Sequence, residues 1–152
     1  MSQRPIENPM QIQIVAGAIM ASVIVHAVVG VYLTRGEIIE PGGLLQADES
    51  MRDAIGGVLV LTGLGAAALS FVLRRFMARR FAAEGATLQT IAQAVIVSLA
   101  FAEAPGIMGL LLALLTGELA LPGLLWGTSF AVSLFHFPTR AWIENCQAGE
   151  RR

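Results

Sequence analysis

Four apolar runs, each near the length that crosses a bilayer, take up more than half of this 152-residue chain. They lie at about residues 11–33, 54–76, 88–116 and 121–137. A hydrocarbon core of roughly 30 Å is crossed by about 20 apolar residues in a helix, and a backbone that leaves its polar groups unpaired is excluded from it. The pattern predicts an all-α integral membrane four-helix bundle, one domain over residues 1–152 with no room for a separate soluble unit. The fourth run is short, but Pro122 and Pro138 bracket it, and proline favours helix starts and exits. The first run exceeds the roughly 7–15 residues of a signal-peptide core and follows only Arg4, so a retained helix is expected. Composition agrees: 14% of residues are charged, against about 25% in water-soluble domains.

Arginine placement predicts orientation, because basic residues gather on the cytoplasmic side. All ten basic residues are arginines. With the second connection (77–87) inside, Arg4, Arg74, Arg75, Arg79, Arg80, Arg140, Arg151 and Arg152 are cytoplasmic and only Arg35 and Arg52 lie outside. Both termini are then cytoplasmic, in a bacterial-type inner membrane. The first connection (34–53) is an acidic outer loop with Glu37, Glu40, Asp48, Glu49 and Asp53, and Pro41-Gly42-Gly43 marks a turn. Arg74, Arg75, Arg79 and Arg80 are expected to contact lipid or a partner. A net charge of −1 gives no reason to expect nucleic acid. Cys146 is the only cysteine, which rules out an intrachain disulfide and offers no metal-ligand spacing. No cofactor is implied.

Small residues mark helix contacts. Gly63, Gly65, Gly123 and Gly127, with Gly106 and Gly109 after Pro105, permit close backbone approach within the chain or between copies. The partners expected are therefore the lipid bilayer, further copies of the chain, or other membrane subunits.

Glu103 stands twelve residues from either end of the stretch Ile91–Leu115, otherwise free of charge. A carboxyl at that depth costs several kcal/mol, from ~2.5 upward, and such groups usually face a protein interior or a water path. His26 lies twelve residues past Ile14, as Glu103 lies twelve past Ile91. Helices 1 and 3 run the same way, so the two ionisable groups are expected at similar depth. A pair there can relay a proton or can simply lock helix packing. Pro105 removes the donor that the Phe101 carbonyl normally receives, loosening the helix beside the carboxyl. His136 and Arg140 look interfacial, as does Trp142.

The run Ser98-Leu99-Ala100-Phe101-Ala102-Glu103-Ala104-Pro105-Gly106-Ile107-Met108-Gly109-Leu110, continuing in aliphatics to Leu115, resembles the carboxylate helix of the ATP synthase proteolipid, subunit c. The resemblance implies that Glu103 carries a proton or sodium ion. A small-residue helix and an arginine-bearing loop precede it, as in the proteolipid hairpin. The alternating glycine repeat and Arg-Gln-Pro loop of that family are absent, and two further helices flank the hairpin.

Two functions from different classes follow. In one, Glu103 binds or relays a proton or cation, with His26, in an oligomer or larger complex. In the other, the chain is a structural or assembly subunit in which both residues only hold helices together. A drug/proton antiporter is less favoured, because stacking aromatics are scarce near Glu103. Enzymatic catalysis is not expected, since the membrane segments hold no nucleophile–base pair, paired carboxylates or phosphate loop.

Overall fold

A computed structural model of the chain describes residues 8–36, 38–39, 43–44 and 48–148. Arg4, Glu37, Glu40, Pro41, Gly42, Arg151 and Arg152 lie outside them. The described residues form five helices: α1 (Pro9–Arg35), α2 (Glu49–Glu84), α3 (Leu88–Thr116), α4 (Ala120–His136) and α5 (Arg140–Ala148). Helices α1, α2 and α3 are each long and apolar enough to cross a membrane; α4 and α5, bent by 51° at their junction, count as a fourth only if taken as one broken span.

Local chemistry sets the boundaries. Asn8 caps α1 by accepting from the Met10 amide, and Pro9 occupies its first turn, where the missing N–H costs nothing. Asp48 caps α2 through the Met51 amide, so α2 begins within the expected outer loop. It also runs through most of the expected inner loop, because Met77–Glu84 is built from good helix formers and carries an Arg80–Glu84 pair one turn apart. Gly85, at φ 70°, ends it, in a region that favours glycine. The loop expected at 77–87 thus reduces to residues 85–87. Thr87 caps α3, and Gly117, in the left-handed region, closes it.

Helix α3 lies at the centre, packed against α1, α2 and α4. Gly63 on α2 faces the backbone of Pro105, where an added Cβ would stand 3.2 Å from its Cα. Gly109 faces Trp126 and the Pro122 carbonyl, and Gly106 faces Ser129. Gly65, Gly123 and Gly127 have nothing within 4 Å of an added Cβ. They lie on outward faces and take no part in packing within the chain.

The fifth helix was not among the expected elements. Thr139 starts it, accepting from the Trp142 amide through Oγ1 and from the Ile143 amide through its carbonyl. Ile143 and Cys146, one turn apart, are buried in a core with Ile12, Ala16, Phe81, Ile91, Val95 and Leu99. Helix α5 thereby folds beneath the end of the bundle where α2 finishes and α3 starts. At the opposite end, the Leu44 amide donates to the Leu114 carbonyl, satisfying one of the acceptors left open at the end of α3.

Candidate functional site

Helices α1 and α3 run side by side in the same direction, and their facing residues include Ser22, Val23 and His26 on one and Glu103 and Gly106 on the other. The carboxyl of Glu103 and the imidazole of His26 come together, with Nδ1 3.9 Å from Oε1. That separation is within ion-pair range and too long for a direct hydrogen bond. Nδ1 of His26 is buried and has no hydrogen-bond partner. The side chains are 19% and 24% exposed, so the site opens on the flank of the bundle.

Ser22 completes the cluster. Its hydroxyl reaches Oε1 of Glu103 and also the Ile19 carbonyl, at 2.5 Å. A hydroxyl has one hydrogen to donate and can accept two. As donor to both, Ser22 must share its one hydrogen between the two acceptors; a protonated carboxyl could instead donate to Ser22 and leave that hydrogen to the Ile19 carbonyl. With an ionised carboxylate, Ser22 turns its hydrogen to Glu103 and gives up the Ile19 carbonyl. The arrangement accepts either protonation state by rotation of one hydroxyl. Sequence reasoning confined itself to titratable groups and missed Ser22, although it lies one turn before His26 on the same helix face.

Pro105 leaves α3 continuous, and helix α4 supplies donors on either side of it. Ser129 Oγ donates to the Ala102 carbonyl at 2.8 Å, and Trp126 Nε1 donates to the Gly106 carbonyl at 3.1 Å. Trp126 is therefore a buried strut between α3 and α4. Ala102 faces α4 while Glu103, one residue on, faces α1.

A second polar cluster lies between α2, α3 and the end of α4, with Trp142 of α5 beside it. His136, at the end of α4, is only 2% exposed and faces a small cavity shared with Arg74 of α2, Val95 and Ser98 of α3 and Trp142 of α5. Its Nδ1 lies 2.9 Å from the Val132 carbonyl. A carbonyl only accepts, so Nδ1 carries a hydrogen. Nε2 has no partner, nor has the buried Ser133 hydroxyl. Phe71 meets the imidazole edge-on, with ring centroids 4.8 Å apart.

The four clustered arginines separate into different roles. Arg74 turns inward, donating to the Phe135 carbonyl at 2.6 Å and lying 5.2 Å from the ring centre of Trp142. It satisfies a carbonyl at the end of α4 and ties α2 to both α4 and α5. Arg80 pairs with Glu84, and Arg75 and Arg79 are exposed. Arg140 pairs with Glu144 on the surface of α5. Among the described residues, no group of three or more His, Cys, Asp or Glu side chains is placed to hold a metal ion.

The fold defines a class, an all-α protein with several helices long and apolar enough to cross a membrane. Comparison of the chain with protein-family models, with curated proteins and with solved structures gave no match.

Proposed function

We propose that this chain is a small multipass membrane protein in which Glu103 takes up and releases a proton, with Ser22 and His26 as its immediate partners. The observation that carries this reading is the Ser22 hydroxyl, held between the Glu103 carboxyl and the Ile19 carbonyl. Protonated, the carboxyl completes a chain of two hydrogen bonds. Ionised, it keeps the Ser22 donor and has an imidazole 3.9 Å away to offset its charge. The resemblance to the proteolipid's carboxylate helix agrees with a proton and leaves a sodium ion as the alternative cargo.

In the orientation we favour, α4 and α5 form a fourth, bent span. Eight arginines lie on the cytoplasmic side with both termini, and Arg35 and Arg52 lie outside. The membrane would be a bacterial-type inner membrane. The open flank at Glu103 and the outward glycines on α2 and α4 suit assembly with further copies or other subunits.

A second reading has one observation in its favour. The Ser22–Glu103 hydrogen bond also ties α1 to α3, so the carboxyl can serve as a structural clasp in a non-transporting subunit.

Labelling with a hydrophobic carbodiimide separates the two. The reagent attacks protonated carboxyls reached through an apolar phase and is read at Glu103 by mass spectrometry across a pH series. Labelling that falls as pH rises is expected, and Glu103→Gln is expected to abolish it and any coupled ion flux while the protein still inserts and folds. Absence of labelling at every pH, or failure of Glu103→Gln to assemble, would establish the clasp instead.

A further inference from the structure

Beyond Glu103, the end of the α2–α3 hairpin holds a groove of about 470 Å³, within the roughly 300–1,000 Å³ range of small-ligand sites. We propose that it binds an anionic phospholipid, with part of an acyl chain in the groove and the phosphate at Arg80.

Position supports this occupant. Residues 54–73 of α2 are twenty uncharged residues, about 30 Å of helix and one hydrocarbon thickness. The helix then continues to Glu84, so the groove lies at headgroup level and beyond.

The lining is graded along that direction. Phe76, Met77, Ala94 and Val97 form its membrane-ward part. Arg80, Glu84, Thr87 and Thr90, with the Gly85–Ala86 turn, form the part farthest from the apolar slab. The groove is thus apolar at one end and hydrogen-bonding at the other, which matches an amphiphile rather than a wholly polar solute.

Charge supplies the preference for an anion. Arg80 and its partner Glu84 both line the groove, and Arg75 and Arg79, exposed on the same stretch of α2, tip the local charge to positive. The Arg80–Glu84 pair engages Nε alone, which leaves the terminal guanidinium donors for a phosphate oxygen. Arg74 is not available for this purpose, being held by Phe135 and Trp142.

The proposal rests on membrane placement and not on proton exchange at Glu103. The test is native mass spectrometry of the full chain in mild detergent, offered equal amounts of phosphatidylglycerol and phosphatidylcholine with identical acyl chains. Wild type is expected to retain phosphatidylglycerol several-fold over phosphatidylcholine. Replacing Arg79 and Arg80 together by Gln is expected to bring the ratio near unity. Val97→Trp, which fills the groove from an exposed position, is expected to reduce retention of both lipids, and Glu103→Gln is expected to change neither. The paired arginine variant touches no core residue and keeps the test decisive if Val97→Trp misfolds. Equal retention of the two lipids by wild type would overturn the proposal. So would loss of phosphatidylglycerol to excess glycerol phosphate, which would mark a site for a free phosphate, or unchanged retention in a folded Val97→Trp.

Discussion

The chain's two histidines occupy opposite environments. His26 lies on the open flank between α1 and α3, 3.9 Å from a carboxyl oxygen and beside a hydroxyl that can turn either way. His136, at the end of α4, lies sealed among α2, α3 and Trp142 of α5, against the edge of Phe71, and its one hydrogen bond is to the carbonyl one turn earlier in its own helix. Arg74 shares its cavity, so a second positive charge there would face an existing one. Burial alone therefore does not mark a site of proton exchange. What distinguishes His26 is an acidic neighbour and an open side, while the sealed imidazole of His136 fills space against Phe71.

Substitution at the sealed site should give the largest effect. His136→Ala removes a side chain that fills the junction of three helices, and the expected loss is about 2–4 kcal/mol, by analogy with large-to-small core changes. Thermal unfolding in detergent would measure it, and a loss below 1 kcal/mol would erase the contrast with His26.

His26→Phe should leave unfolding within about 1 kcal/mol of wild type, as expected for a partly exposed group. It should also change the carbodiimide labelling of Glu103, because the imidazole 3.9 Å from the carboxyl is then gone. Unchanged labelling would mean that the two groups do not communicate.

Asp48 provides the smallest effect and a control carboxyl on the water side. The Met51 amide, then the Ser50 hydroxyl, hold its pKa below the usual carboxylate value. A lowered folded-state pKa gives stability that is present above the unfolded value and lost as pH falls through the folded one. Asp48→Ala should therefore unfold slightly earlier than wild type at neutral pH, and the gap should close in acid below the ordinary aspartate value of 3.8. At neutral pH the Asp48 carboxyl should also escape the apolar carbodiimide that labels Glu103.

The parts of the fold legible in the sequence were those written as length and breakers. Helices α1, α3 and α4 follow their apolar runs closely, because Pro9, Gly117 and Pro138 punctuate them. The ends of α2 and the whole of α5 carry charge and show no continuous apolar run. Their helicity comes from capping, from pairs such as Arg80–Glu84, and from the Ile143–Cys146 face meeting a core that only the assembled bundle supplies. Glu103 and His26 were readable as a matched pair by depth. Helix rotation was not readable, and it decides that Ala102 meets Ser129 while Glu103 meets Ser22. The burial of His136 among α2, α3 and Trp142 depends on the same rotations and was hidden with them.

The Ala86 amide, in the short turn between α2 and α3, donates to the carbonyl of Cys146 near the end of α5. The turn therefore takes its acceptor from a helix far along the chain, and α5 works as a latch on the hairpin. Were α5 to undock, the turn would be unfastened and Phe81 and Ile91 would lose Ile143 and Cys146 from the core they share.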